Sequence, residues 1–213
     1  MDRHTEIARA AAQGDADSQL ALGLSLEAQG CYEAARNWLA KAAHSGNPDA
    51  LTALGINLLV RQPLSHFEGV KAIIAAANAG GAQAIHIAGA MAALGAGLPQ
   101  NWPMAFDCLH QSAERGWPQA QDELRLLANA PSDTWKSLRD GIDVDALLKP
   151  MPMRMVHEHP RVSVAEKFLT PGVCDWLIER AKPKIGRGQV FDATHGGGKI
   201  DQTRNNLATD FNI

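Results

Sequence analysis

Cysteine is scarce in this chain, and its placement excludes as much as its number. The three thiols, Cys31, Cys108 and Cys174, lie far apart and form no C-x-x-C pair. Such a set supplies neither a disulfide framework nor a zinc site, so a reducing compartment and a cytoplasmic location are expected. Charge of either sign is missing from Ala72 to Phe106. Asn78, Gly80, Gln83, His86, Pro99 and Gln100 interrupt that stretch and alanine dominates it, so it reads as buried core, not a membrane span. The N-terminus lacks the apolar run of a signal peptide, since Asp2, Arg3 and Glu6 precede an alanine-rich segment. Positive charge is not in excess either. Residues 1–149 carry 11 Lys+Arg against 16 Asp+Glu, net −5, and residues 150–213 carry 9 against 7, net +2. A mildly acidic N-terminal part argues against binding a phosphate backbone, and neither a nucleic-acid nor a membrane partner is expected.

What the chain has in quantity is small apolar residues in a repeating order. Gly14, Gly46, Gly80 and Gly116 are spaced 32, 34 and 36 residues apart. Two places after each stands a small residue (Ala16, Pro48, Ala82, Pro118), and nine places after the first three stands a second glycine (Gly23, Gly55, Gly89). In the fourth copy that place holds Arg125, which marks a terminal, solvent-facing cap. A helix-turn-helix unit of this length cannot bury its apolar face alone, so stacked copies are expected to share one elongated core. Glycine inside a helix costs about 1 kcal/mol relative to alanine, so its recurrence at one mid-helix position implies close approach of a second helix. The second helices are expected at roughly 32–44, 65–79 and 103–115. Each ends on the next leading glycine, which suits a left-handed C′ position. Leu39, Ile73 and Leu109, seven residues before those glycines, should point inward.

The segments WLAKAAHSG (Trp38 to Gly46) and GLPQNWPMAFDCLHQSAERG (Gly97 to Gly116) resemble the Sel-one-like repeat, a relative of the tetratricopeptide repeat. The resemblance covers about residues 5–128. It implies a right-handed α-solenoid over residues 1–130, with a protein or peptide partner on the repeat surface. Candidate contact residues are those left over once core positions are removed: Tyr32, Trp102, Trp117 and His86. Trp102 and Trp117 each precede a proline near a helix start and also suit a hydrophobic staple.

Beyond the repeats the pattern changes. Residues 131–159 read as a helical connector, with a short helix through Trp135 and Leu138, a second turn at Val144–Leu148 stopped by Pro150, and an irregular Met151–Met155 stretch. Val162 and Val164 then alternate with polar neighbours as in a strand. A helix capped by Thr170 with Pro171 in its first turn should present Val173, Leu177, Ile178 and Ala181 on one face and end at Lys182-Pro183. Further strands are expected at 189–193 and 207–213, separated by a turn at His195-Gly196-Gly197-Gly198.

Phe168-Leu169 followed by Cys174-Asp175-Trp176-Leu177-Ile178-Glu179, with a later Arg204 to Phe211 strand, is similar to the opening of a prolyl 4-hydroxylase domain. Asn205 and Asn206 depart from that family's pattern. The resemblance makes residues 160–213 a small α+β segment, the incomplete start of a jelly-roll (double-stranded β-helix) 2-oxoglutarate/Fe(II) dioxygenase. It implies a longer parent protein using Fe(II), 2-oxoglutarate and ascorbate to hydroxylate a protein substrate, with Arg204 facing that substrate. No His-x-Asp pair occurs before the sequence ends at Ile213, so no catalytic residue, metal ligand or cofactor is assigned to this chain and it is expected to be inert by itself. His157-Glu158-His159 offers two imidazoles but no third ligand and reads as solvated linker. The His195–Gly198 run lacks the nucleophile elbow that would make it an oxyanion loop. The alternative is a free-standing protein-binding adaptor without a catalytic role.

Overall fold

In the computed structural model, which describes residues 3–128, 134–192, 197–200 and 207–209, each of the four leading glycines stands in the left-handed region. Their φ values are 97°, 74°, 88° and 84° for Gly14, Gly46, Gly80 and Gly116. Only glycine takes that conformation without strain, and here it ends one helix one residue before the cap of the next. Asp15 caps by accepting from the Ser18 backbone N–H at 2.8 Å, and Asn47 Oδ1 accepts from the Asp49 N–H at 2.8 Å and the Ala50 N–H at 3.2 Å. Stop and start signals thus sit side by side, and the chain reverses over two residues.

The result is a run of antiparallel helices: α1 Arg3–Ala12, α2 Ala16–Ala28, α3 Tyr32–Ala43, α4 Pro48–Val60, α5 His66–Asn78, α6 Ala82–Leu94, α7 Trp102–Glu114 and α8 Pro118–Ala128. Helices α2, α4, α6 and α8 are the first helices of the units, and α3, α5 and α7 are the second. The mid-helix glycines mark the crossings. A Cβ on Gly23 would stand 2.7 Å from Leu39 Cδ2, and one on Gly89 would stand 2.9 Å from Cys108 Cβ and 3.1 Å from the Ala105 carbonyl oxygen. Leu39, Ile73 and Leu109 are buried as expected. The register extends to polar groups. Gln19 and Gln121, each five residues after a leading glycine, donate through Nε2 to the carbonyls of Ala11 and Ala113, each three residues before it.

A further helix, α9 Trp135–Asp140, packs beyond α8, capped by Thr134 whose hydroxyl accepts from the Ser137 N–H at 3.1 Å. Leu138 and Ile142 are buried in one cluster with Phe106, Leu109, Ala113 and Leu124. Arg125, expected to face solvent, leaves 54% of its side chain exposed but lays its guanidinium 4.6 Å over the Trp135 ring. The place vacated by glycine is therefore partly roofed by the next element.

The chain divides into two compact units, Met1–Val144 and Asp145–Ile213. After a short helix, α10 Val144–Leu148, the second unit holds β1 Met153–His157, β2 Val162–Ala165, α11 Pro171–Ala181, a 3-10 turn Lys182–Lys184, β3 Gly186–Arg187, β4 Gln189–Asp192, β5 Gly197–Ile200 and β6 Leu207–Ala208. The strands pair antiparallel as β1–β2, β3–β6 and β4–β5, three separate two-stranded sheets. Two expectations are corrected. The supposedly irregular Met151–Met155 stretch contributes β1, because backbone pairing of Met153 with Ala165 and Arg154 with Val164 gives it a partner that its own composition does not announce. Gly197 and Gly198, expected in a turn, belong to β5 opposite Asp192 and Phe191, since strand pairing decides their state. The jelly-roll expectation is replaced by a small α+β segment. Helix α11 starts at the Thr170 cap, which accepts from the Val173 N–H at 3.3 Å, yet none of its residues is buried and Ile178 is 51% exposed.

Candidate functional site

Successive first helices turn the same two faces toward each other, so three equivalent intervals follow one another along the first unit. Residues three before and one after the mid-helix glycine come from one helix, and the residue two before it comes from the next. Between α4 and α6 the interval is closed: Ile56, Leu59, Ile87 and Met91 fill it over Ile73. The intervals on either side are open.

Between α2 and α4 lies a cleft of about 400 Å³, lined by Leu20, Leu24, Leu39, Ala53 and Ile56, with Glu27, Asp49 and Gln83 around the apolar walls. Leu24, on this wall, is 49% exposed. The carboxylate of Glu27 is already engaged. It accepts from Arg61 Nε at 2.7 Å and from Asn57 Nδ2 at 2.6 Å. Asn57 is fully buried and satisfied on both sides: Nδ2 also donates to the Tyr32 carbonyl at 3.1 Å, and Oδ1 accepts from Arg36 Nε at 2.7 Å. Arg36 further donates to the carbonyls of Pro63 and Arg61 at 2.8 and 2.9 Å. This network ties α2, α3, α4 and the loop after α4 into one rigid wall. The neighbouring carboxylate holds the Arg61 guanidinium above its already high ordinary value, chiefly through the hydrogen bond.

Between α6 and α8 lies a smaller cleft of about 170 Å³, lined by Gly89, Ala90, Ala93, Trp102, Phe106 and Leu127. Its polar element is a pair. His86 Nε2 lies 2.7 Å from Glu123 Oε2, with 9% and 22% of the two side chains exposed, and Gln119 Nε2 donates to Glu123 Oε1 at 2.9 Å. His86 takes the register position of Leu20, and Glu123 that of Ala53. Where the first interval sets two apolar side chains on its cleft wall, the last holds a hydrogen-bonded ionisable pair.

Of the residues singled out from the sequence, the second cleft brings His86 and Trp102 together, and the others lie apart from it. Tyr32, half-buried, lies beneath Arg61, whose guanidinium is 4.4 Å from its ring, on the network side of the first cleft. Trp102 lines the second cleft with its ring centroid 6.2 Å from that of Phe106. Trp117 packs against the cluster of Phe106, Leu124 and Leu138. His157, Glu158 and His159 are all exposed at the β1–β2 hairpin, where His157 Nδ1 lies 3.0 Å from the Pro160 carbonyl oxygen. Arg204 and the His195-Gly196 pair lie outside the described residues. Leu24, Ile56, Asp49 and the Asn57 network were not anticipated. Asn57 did carry a signal, being a polar residue two places after a mid-helix glycine where α6 has Met91.

No protein-family model matches this chain, and no curated protein matches it significantly. Among solved structures it is similar to c5321, a protective antigen present in uropathogenic Escherichia coli strains displaying an SLR fold, at 25% identity and a TM-score of 0.52 over 66% of this chain and 34% of that one. The chain thus spans about a third of the length of that protein. A Sel1 repeat protein from Oxalobacter formigenes is also similar, at 24% identity and a TM-score of 0.49 over 57% of this chain and 96% of that one. On the likeness to c5321, the N-terminal region has a Sel1/tetratricopeptide-like repeat fold.

These findings overturn the dioxygenase reading of the C-terminal segment. The likeness to c5321 is to a repeat protein, no family model of any kind matches, and among the described residues no group of three or more His, Cys, Asp or Glu side chains could hold a metal ion. The resemblance rested on a short Phe-Leu and Cys-Asp-Trp-Leu-Ile-Glu pattern. A strand end followed by a capped amphipathic helix produces that pattern in many folds. Among the described residues no helix is long and apolar enough to cross a membrane.

Proposed function

We propose that this chain is a protein-binding adaptor whose repeats hold a segment of the partner against the first-helix side of the array. The observation that carries the reading is the cleft between α2 and α4. An open apolar floor is held between helices fixed by a buried hydrogen-bond network, with Leu24 half in solvent. Rigid walls lower the ordering cost of binding, and an exposed aliphatic in a concave setting is the type of group that a partner side chain covers. Trp102, on the wall of the second cleft, is proposed as a further contact.

The test places a photo-crosslinking amino acid at Leu24 and, as a control, at Lys41, which stands on a second helix with its Nζ 4.0 Å over the Trp38 ring. Discrete protein adducts from position 24, absent from position 41 and suppressed by excess unmodified chain, are expected. Equal or absent labelling at the two positions ends the proposal.

A further inference from the structure

The first helices of the repeat units carry almost no basic residues. Across α2, α4, α6 and α8 there are five carboxylates, Asp17, Glu27, Asp49, Asp122 and Glu123, and a single base, Arg125. Helices α2, α4 and α6 contain no lysine or arginine at all. The bases of the second helices are turned elsewhere: Arg36 serves the Asn57 network, Lys41 lies over Trp38, and Lys71 pairs with Glu68. Of the five carboxylates, Glu27 is neutralised by Arg61, Asp122 by Arg125, and Glu123 accepts from His86 and Gln119.

Asp49 is different. It is exposed on the lining of the larger cleft, and it makes no ion pair among the described residues. The same cleft is lined by Leu20, Leu24, Ala53 and Ile56, and by Gln83 of the next first helix. Such a site combines an apolar seat with one unneutralised carboxylate at its edge and no competing cation on the three adjoining first helices.

Resting on the adaptor reading above, we infer that the α2–α4 cleft takes a basic peptide segment: an aliphatic side chain seated on Leu24, Ala53 and Ile56, with a neighbouring lysine or arginine paired to Asp49. An acidic segment would place like charge against a face that offers it no counter-ion, a repulsion that selects against it as effectively as the attraction selects for its opposite. A methylene-rich lysine or arginine stem also lies along apolar walls while its charged head reaches the rim.

The experiment pans a phage-displayed random dodecapeptide library against the full chain, then measures the enriched peptides in solution by fluorescence anisotropy. Enriched sequences should pair leucine, isoleucine or methionine with lysine or arginine. Affinity should fall about 3- to 5-fold in Asp49→Asn, about 10-fold in Leu24→Ser, and several-fold when salt is raised from low to high, since a half-exposed ion pair is screened. Both substitutions are at exposed side chains, and unchanged thermal midpoints will show that the fold survives. Enrichment of neutral or acidic peptides that still lose affinity in Leu24→Ser overturns the charge assignment and leaves the adaptor reading standing. Recovery of no peptide, or of peptides indifferent to Leu24→Ser, overturns both. Sedimentation showing that the chain self-associates through Leu24, leaving peptides excluded, assigns the cleft to a second copy and overturns the inference.

Discussion

Gly55 of α4 and Gly69 of α5 face each other so closely that a Cβ on either would stand 3.2 Å from the carbonyl oxygen of the other. The same Cβ atoms would meet Ile73 Cδ1 and Leu59 Cγ, each at 2.7 Å. A side-chain end can swing aside, but the two carbonyls belong to helices pinned by the buried wall around Asn57 and by Ile73. Gly55→Ala gains about 1 kcal/mol of helix propensity. Against this stands an overlap costing about 1–3 kcal/mol, and the net effect should be destabilising. Gly69→Ala should behave alike, and the double variant should cost less than the sum because one displacement of α5 relieves both overlaps. Urea titration of the three variants checks this, and additive losses would show that the helices do not move as a pair.

The buried Asn57 side chain joins three groups, the Glu27 and Arg36 side chains and the Tyr32 carbonyl, and so links α4 to α2 and α3. Asn57→Ala should cost about 2–3 kcal/mol, because it strands a half-buried Arg36 N–H and removes one of the Glu27 partners. Asn57→Leu should not recover that loss, since volume is not what the site lacks. Chemical denaturation of both variants gives the answer, and a leucine variant as stable as the parent would contradict the hydrogen-bond account.

The His86–Glu123 pair should be replaceable as a unit. Glu123→Ala by itself leaves a buried imidazole without its acceptor and should cost about 1–2 kcal/mol. Converting both, His86→Leu with Glu123→Ala, installs the residue types of Leu20 and Ala53 at the equivalent register positions and should return stability to within about 1 kcal/mol of the parent. A double-mutant cycle measures the coupling directly. Independent, additive losses would mean that the two side chains do not act together.

Thiol reactivity should separate Cys31 from Cys108. Cys31 is exposed between α2 and α3, whereas Cys108 is half-buried on α7, and burial, aided by Asp107, pushes its thiol above the ordinary value. The thiolate is the reacting species, so raising the pKa and limiting access act in the same direction. Iodoacetamide at neutral pH, followed by peptide mass mapping, should alkylate Cys31 at least ten times faster, and the difference should vanish in urea. Equal rates in the folded protein would place Cys108 on an open surface.

Much of the helical unit was legible because its signals are local and repeated. Gly46 stops a helix and Asn47 starts the next regardless of what surrounds them, and Gly55 declares a crossing by tolerating the cost of glycine in mid-helix. Strand β1 was hidden for the opposite reason: Met153, Arg154 and Met155 carry no strand signal until Val164 and Ala165 pair with them. The C-terminal resemblance misled because a capped helix after a strand end is a local pattern shared by unrelated folds. The candidate site was illegible at the level of residues, since Leu24 and Ile56 look like any other core aliphatics of α2 and α4.

The sequence by itself determined the number of repeats, the boundaries of their helices and the residues that face inward, because turn conformation and apolar spacing are properties of neighbouring residues. Tertiary structure alone decided which of three equivalent intervals would close over Ile56, Ile87 and Met91 and which would stay open around Leu24. That choice depends on how side chains from helices about thirty residues apart fill a shared volume, and no single segment holds the information.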